Sequence, residues 1–201
     1  MNGKLVYGVG IYTKGKHKAT ESGKDTKAYK AWQNMLQRCH DPKFKERWPT
    51  YLGCVVCDEW LHFQVFADWF HANNPDSANG CHVDKDLKVI GNKIYSPETC
   101  IIVTEQVNNF TICRARDRGE YLIGASWDVD RGKFQSGCRN PFTKKRENLG
   151  RFTDELSAHL AWRKRKSELA HELAMTQTNP EVRDALLRWK DALDNNEIHT
   201  V

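Results

Sequence analysis

Residues 81–100 read CHVDKDLKVIGNKIYSPETC, and the architecture of the first half turns on how they are taken. Alternate residues of a strand share a face. As a strand over 81–87, the stretch therefore points His82, Asp84 and Asp86 one way and Lys85 the other. A Gly91-Asn92 turn follows, then Tyr95 and the run Ser96-Pro97-Glu98-Thr99, completing a hairpin. One imidazole and two carboxylates on one face suit a divalent ion. Hard oxygen donors suit Mg²⁺, which in phosphate chemistry often uses only one or two protein carboxylates. Such an ion stabilises charge on the leaving oxygen of a phosphodiester, and a nearby imidazole can take a proton from attacking water. The plain alternative is a half-exposed strand whose aspartates face solvent. The stretch alone leaves both open.

Upstream, TKAYKAWQNMLQRCH (26–40) is helical: Trp32, Met35, Leu36 and Cys39 fall at i, i+3, i+4 and i+7 and make one apolar stripe. Asp41 and Pro42 end it, and a loop runs to Tyr51. GCVVC (53–57) reads as a short buried strand or turn. DEWLHFQVFADWFHANN (58–74) is a second helix with Trp60, Phe63, Phe66, Ala67 and Phe70 on one side. The first 25 residues suggest a short strand and a basic loop. Cys54-x-x-Cys57 can be half of a zinc site, yet no second CxxC or HxxxH exists. A structural zinc on Cys39, Cys54, Cys57 and Cys100 needs the fold to gather them. Buried reduced thiols are the favoured reading.

Downstream, TICRARDRGE (111–120) is polar and reads as a linker. YLIGASWDV and GKFQSGCRN are two strands joined at Asp130-Arg131-Gly132, a hairpin signal, and RENLGRF is a third. Thr153 can cap a helix over 154–175 whose apolar side is Leu156, Leu160, Leu169 and Leu173. Asn179 and Pro180 start a last helix with an N-cap and a first-position proline. Its apolar face is Val182, Ala185, Leu186, Trp189, Ala192 and Leu193. On the second strand Phe134, Ser136 and Cys138 take one face; Lys133, Gln135, Gly137 and Arg139 take the other. With Arg146 and Asn148 from the third strand, and Ser126 and Arg131 alongside, that second face can read base edges and phosphates in a DNA major groove. The alternative is a solvated sheet face.

Charge is distributed to match. Residues 1–30 carry seven Lys/Arg against two Asp/Glu, 31–110 seven against ten, 111–170 fourteen against eight, and 171–201 three against six. Two basic segments flank an acidic one, as suits a protein that grips a polyanion at two places and holds a cation between them. No apolar run approaches the ~20 residues needed to cross a bilayer, and no secretory signal is evident. A cytoplasmic protein (host cytoplasm, if phage-encoded) with reduced cysteines is the expectation.

GASWDVDRGKFQSGCRN and KRENLGRFTDELSAHLAWRKRK resemble an AP2-type DNA-binding domain of the kind found in phage and mobile-element endonucleases, over about Tyr121 to Ala174. AWQNMLQRC, YLGCVVCDEWLHFQVFADWF, VDKDL, GNKIYSPETC and TEQVNNF, in that order across about residues 28–110, are similar to bacteriophage HNH-type homing endonucleases. The resemblance implies a ββα-metal fold in which a hairpin and a helix clasp one divalent ion beside the scissile phosphate. Asp84 falls at the metal-binding Asp of that family, and Asn108 or Asn109 near the Asn of its closing helix. Two positions depart from the pattern. The general-base His is replaced by Lys85, and the Asn of Pro-Glu-Asn-Leu by Thr99. His82, two residues before Asp84, is the substitute base. Lys85, with an ordinary pKa of roughly 10.4, suits a phosphate contact better than a base.

The expected chain is α+β. Residues 1–110 form an HNH-like nuclease module with a basic arm, 111–120 a linker, 121–175 an AP2-like three-stranded sheet with its helix, and 176–201 a C-terminal amphipathic helix. The expected activity is metal-dependent hydrolysis of duplex DNA. His82, Asp84, Lys85 and Asn108 would be catalytic, and Asp84, Asp86 and Thr99 would hold Mg²⁺ or Mn²⁺. Ser126, Arg131, Lys133, Gln135, Arg139, Arg146 and Asn148 would touch DNA. The alternatives are an inactive HNH-fold protein acting as a DNA-binding regulator, and a zinc-stabilised interaction module.

Overall fold

Helix α1 (Lys27–His40) begins where the Thr26 hydroxyl accepts the Tyr29 N–H, and it buries Trp32, Met35, Leu36 and Cys39, the expected stripe. The computed structural model to which it belongs describes residues 5–74, 81–112 and 120–195. Contacts divide the chain into two compact units, Met1–Glu105 and Gln106–Val201. Both mix helices with small sheets, so the α+β class holds. Among the described residues no helix is long and apolar enough to cross a membrane.

In the first unit the basic N-terminal loop contains a hairpin, β1 (Thr20–Glu21) with β2 (Lys24–Asp25). The expected strand near residues 5–12 is reduced to isolated bridges, Val6 with Gly10 and Ile11 with His62. Gly10 lies so close to α1 that a Cβ there would sit 2.3 Å from Leu36 Cδ1. Asp41 ends α1 and also caps α2 (Pro42–Arg47), accepting the N–H groups of Lys43 and Phe44, so the expected loop is partly helical. β3 (Val55–Val56) is half the predicted buried strand; Val55 is 50% exposed and not core. The predicted second helix is split into a 3₁₀ turn (Asp58–Leu61) and α3 (Phe63–Ala72). Trp32, Trp60, Phe63, Phe66 and Phe70 meet in the core, and Trp32 Nε1 donates to the Trp60 carbonyl at 2.7 Å. Burying aromatics of this size is worth roughly 1.5–3 kcal/mol each, enough to fix α1 against α3.

The opening stretch is not one strand. β4 (Cys81–Asp84) stops at Asp84, whose Oδ1 accepts the N–H groups of Asp86 (3.0 Å) and Leu87 (2.7 Å). An Asp side chain that satisfies the backbone two and three residues on makes a turn there and ends the ladder. β4 pairs antiparallel with β6 (Ile101–Thr104), Asp84 opposite Ile101. The Gly91-Asn92 turn leads instead into β5 (Ile94–Tyr95), which runs parallel to β3. α4 (Glu105–Thr111) follows β6 and from Gln106 onward belongs to the second unit, so the division falls before residue 110, the expected end of the first module.

In the second unit β7 (Ala125–Asp128), β8 (Lys133–Arg139) and β9 (Arg146–Phe152) form an antiparallel sheet in that order. α5 (Glu155–Met175) is capped by Asp154, one residue after the expected Thr153. α6 (Pro180–Asp194) starts at Asn179 as expected and packs on α5. Leu156 and Leu160 are exposed, at 56% and 40%; the buried stripe is Ala158, Trp162, Leu169, Ala170 and Leu173. Gly124, at φ +82°, lies against that stripe, where a Cβ would come within 2.0 Å of Trp162 Cγ. Most of the expected linker, residues 113–119, lies outside the described residues.

Candidate functional site

Because β4 ends at Asp84, strand alternation brings together His82 and Asp84 but not Asp86. Val83 between them is buried, so His82 and Asp84 lie on the strand's other face. Asp86 reaches Asp84 by a different route. The turn that Asp84 closes folds the chain back and sets the two carboxylates against each other. Burial first, then the Asp86 charge, pushes the Asp84 carboxyl up to about 6, against the downward pull of the Leu87 and Asp86 N–H groups. Burial and the nearby Arg38 cation hold His82 below its ordinary value, so its ring is neutral at physiological pH and able to accept a proton.

Lys85 does not point out to solvent. It is 6% exposed, and its Nζ donates to Asp86 Oδ2 at 2.8 Å and to the Asn92 carbonyl at 3.1 Å. In the fold its ammonium ties the turn together. Asn92 completes the clamp, its Nδ2 donating to the carbonyls of Lys85 (2.6 Å) and Ile94 (2.7 Å). Thr99 Oγ1 donates to the Ile94 carbonyl at 2.7 Å and meets Ser96 Oγ at 3.1 Å, so its hydroxyl is spent on the turn. Asn108 is half-buried on α4.

Sequence reasoning missed two members of the site. Arg38 of α1 is half-buried, with Asp84 and His82 within electrostatic reach. Tyr95 of β5, 1% exposed, accepts from Arg38 Nη1 at 3.5 Å. Neither carries a local motif; the fold brings them in.

Among the described residues, no three His, Cys, Asp or Glu side chains gather into a metal-holding group. A three-ligand set of His82, Asp84 and Asp86 is thus not assembled. The carboxylate pair fits the sparser Mg²⁺ mode, in which one or two carboxylates share the ion with substrate phosphate and water. A cation there would offset both the burial and the Asp86 charge that push the Asp84 carboxyl up to about 6. The zinc set is likewise not assembled. Cys39, Cys54 and Cys100 are buried in the aromatic core and Cys57 packs at its edge, all as free thiols. Burial pushes Cys39 and Cys100 up to about 12, which opposes the thiolate that zinc requires.

On the three-stranded sheet the register puts Ser126 opposite Gln135 and Arg139 opposite Arg146. Ser136 and Cys138 are buried on the α5 side, so Ser126, Asp128, Lys133, Gln135, Gly137, Arg139, Arg146, Asn148 and Arg151 form the outer face. Arg131 and Arg151, the latter not anticipated, converge on Asp128 Oδ2 at 3.4 and 3.1 Å. Lys133, Arg139 and Arg146 are exposed, and no described carboxylate pairs with them. The space of a Gly137 side chain is taken by Arg146, whose Nε would lie 2.5 Å from a Cβ at that position. The Asn148 amide oxygen accepts the Gly150 N–H at a bulge between Ser136 and Gly137.

No protein-family model, curated protein or solved structure matches the chain.

Proposed function

We propose that the protein is a metal-dependent DNA endonuclease of the phage HNH type, with an AP2-like sheet as its DNA-holding surface. The observation that carries this reading is the pairing of Asp84 with Asp86 at the end of a strand that also presents His82. Two carboxylates forced together by an Asx turn make a cation-seeking pair, and a neutral imidazole two residues away is a base in the right protonation state. A divalent ion held by Asp84 and Asp86 would supply charge stabilisation at the phosphate. His82 would take the proton of the attacking water. Lys133, Arg139 and Arg146 on the outer sheet face would supply phosphate contacts, whose affinity falls as salt rises.

The second reading is a DNA-binding regulator on an inactive nuclease fold. Lys85 and Thr99 favour it: both stand where the family resemblance expects a base and a ligand, and both are spent on the turn. Plasmid nicking in Mg²⁺ or Mn²⁺ separates the two. Cleavage by the native protein that disappears in Asp84→Ala is the expected result. DNA binding without metal-dependent cutting leaves the regulator.

A further inference from the structure

Several arginines elsewhere in the described chain find carboxylates. Arg165 takes Glu147, Glu168 and Glu172, Arg131 and Arg151 share Asp128, and Arg183 has Asp184. Arg38 does not, although it is half-buried and sits beside one. A guanidinium carries five N–H donors in a fixed fork. The partners of Arg38 are the neutral Tyr95 hydroxyl, at the long distance of 3.5 Å, and the face of the Tyr51 ring, 5.5 Å from centroid to Cζ. Asp84 acts on it only through space, with no hydrogen bond or ion pair joining the two side chains. Burying a cation with so few acceptors costs free energy unless an anion completes the site. An anion would complete the fork, and planar bidentate donors match phosphate oxygens.

We propose that Arg38 is an anion-binding residue that holds a non-bridging phosphate oxygen of the DNA backbone next to His82 and Asp84, with the Tyr95 hydroxyl fixing the plane of its guanidinium. This rests on the nuclease reading of the same site and adds the group that positions the reacting phosphate. Arg38 would stay charged throughout and transfer no proton, so its effect is to orient the phosphate and to stabilise the charge that develops on it. Helix α1 is well placed for this role. Its buried stripe anchors it in the core, which leaves little freedom to the side chain projecting beside that stripe.

The test compares the full chain with its Arg38→Gln, Arg38→Lys and Tyr95→Phe variants, in single-turnover cleavage of a duplex with Mg²⁺ and in binding with Ca²⁺ instead. Arg38→Gln is expected to slow the cleavage step by about 100-fold or more while changing affinity only a few-fold. Arg38→Lys keeps the charge but loses the fork and should fall between. Tyr95→Phe should show a smaller loss in the same step. Should the glutamine variant not fold, the lysine variant decides. Rates within about threefold of the native protein for both Arg38 variants would overturn the proposal, while the Asp84 dependence of cutting would leave the nuclease reading standing. A native protein that never cuts would end the nuclease reading instead. The Arg38 Nε–H resonance is then followed as duplex is added: a shift supports the anion site, and an unmoved resonance refutes it.

Discussion

Replacing Asp84 by Asn should stabilise the metal-free protein while abolishing cleavage. Native Asp84 is driven from 3.8 to about 6 by burial and by Asp86. The folded protein thus binds this proton more tightly than the unfolded chain does, and ionisation works against folding. The penalty is absent below about pH 3, where both states are protonated, grows as pH rises between about 3 and 6, and is full above that. Two pKa units correspond to about 3 kcal/mol. That is a ceiling, because the repulsion relaxes when either carboxylate moves. Asn keeps an oxygen for the N–H groups of Asp86 and Leu87 and offers an amide donor to the Asp86 carboxylate. Urea denaturation in EDTA at about pH 7.5 should show Asp84→Asn more stable than native by up to about 3 kcal/mol, with the gain vanishing by about pH 3. Mg²⁺ should close the gap by stabilising the native protein alone. An Asp84→Asn protein no more stable than native in EDTA at neutral pH, or a gain that persists in acid, would refute the reasoning that a strained carboxylate pair lies at the site.

Two further substitutions probe the second unit. Gly137→Ala places a methyl against the Arg146 guanidinium, a flexible group that can move aside. The expected outcome is an unchanged denaturation midpoint with weaker duplex binding in a gel shift, whereas full affinity would mean that Arg146 does not act from that position. Glu147 is held at about 2 by hydrogen bonds from Arg165 and Asn140. Its folded value lies below its unfolded one, so its contribution is full above about pH 4.5 and is lost as pH falls toward 2. Glu147→Gln should therefore lower the urea midpoint at neutral pH and converge with native in acid; a deficit constant with pH would point to packing and not to charge.

How much was legible depends on the range over which each signal acts. The stripe of α1, the start of α6 and the two faces of β8 were readable because each follows from a local period or a local cap. The assignment of Leu156 and Leu160 to the core failed on phase. They lie two residues, about 200° around the helix, from Ala158 and Trp162, which are buried. A small residue and a tryptophan carry the stripe there instead of the leucines. The strand over 81–87 failed for a different reason: the same Asp84 that looked like a ligand on an alternating face is also the residue most able to end that face, since its carboxylate competes for backbone N–H groups. The two roles are linked. Were the strand to continue, side chains at 84 and 86 would be spaced by the pleat; the turn instead brings Asp86 against a half-buried Asp84, whose pKa is raised by burial and then by that charge. Arg38 had no legible signal at all, because an arginine in a helix acquires meaning only from what the fold leaves unpaired around it. Local sequence thus indicated which residues carry charge at the site, while tertiary structure decided which charges were already spent. Lys85 is spent on Asp86 and the Asn92 carbonyl. Arg38, 46 residues before Asp84 in sequence, bonds to the Tyr95 hydroxyl and to no carboxylate among the described residues.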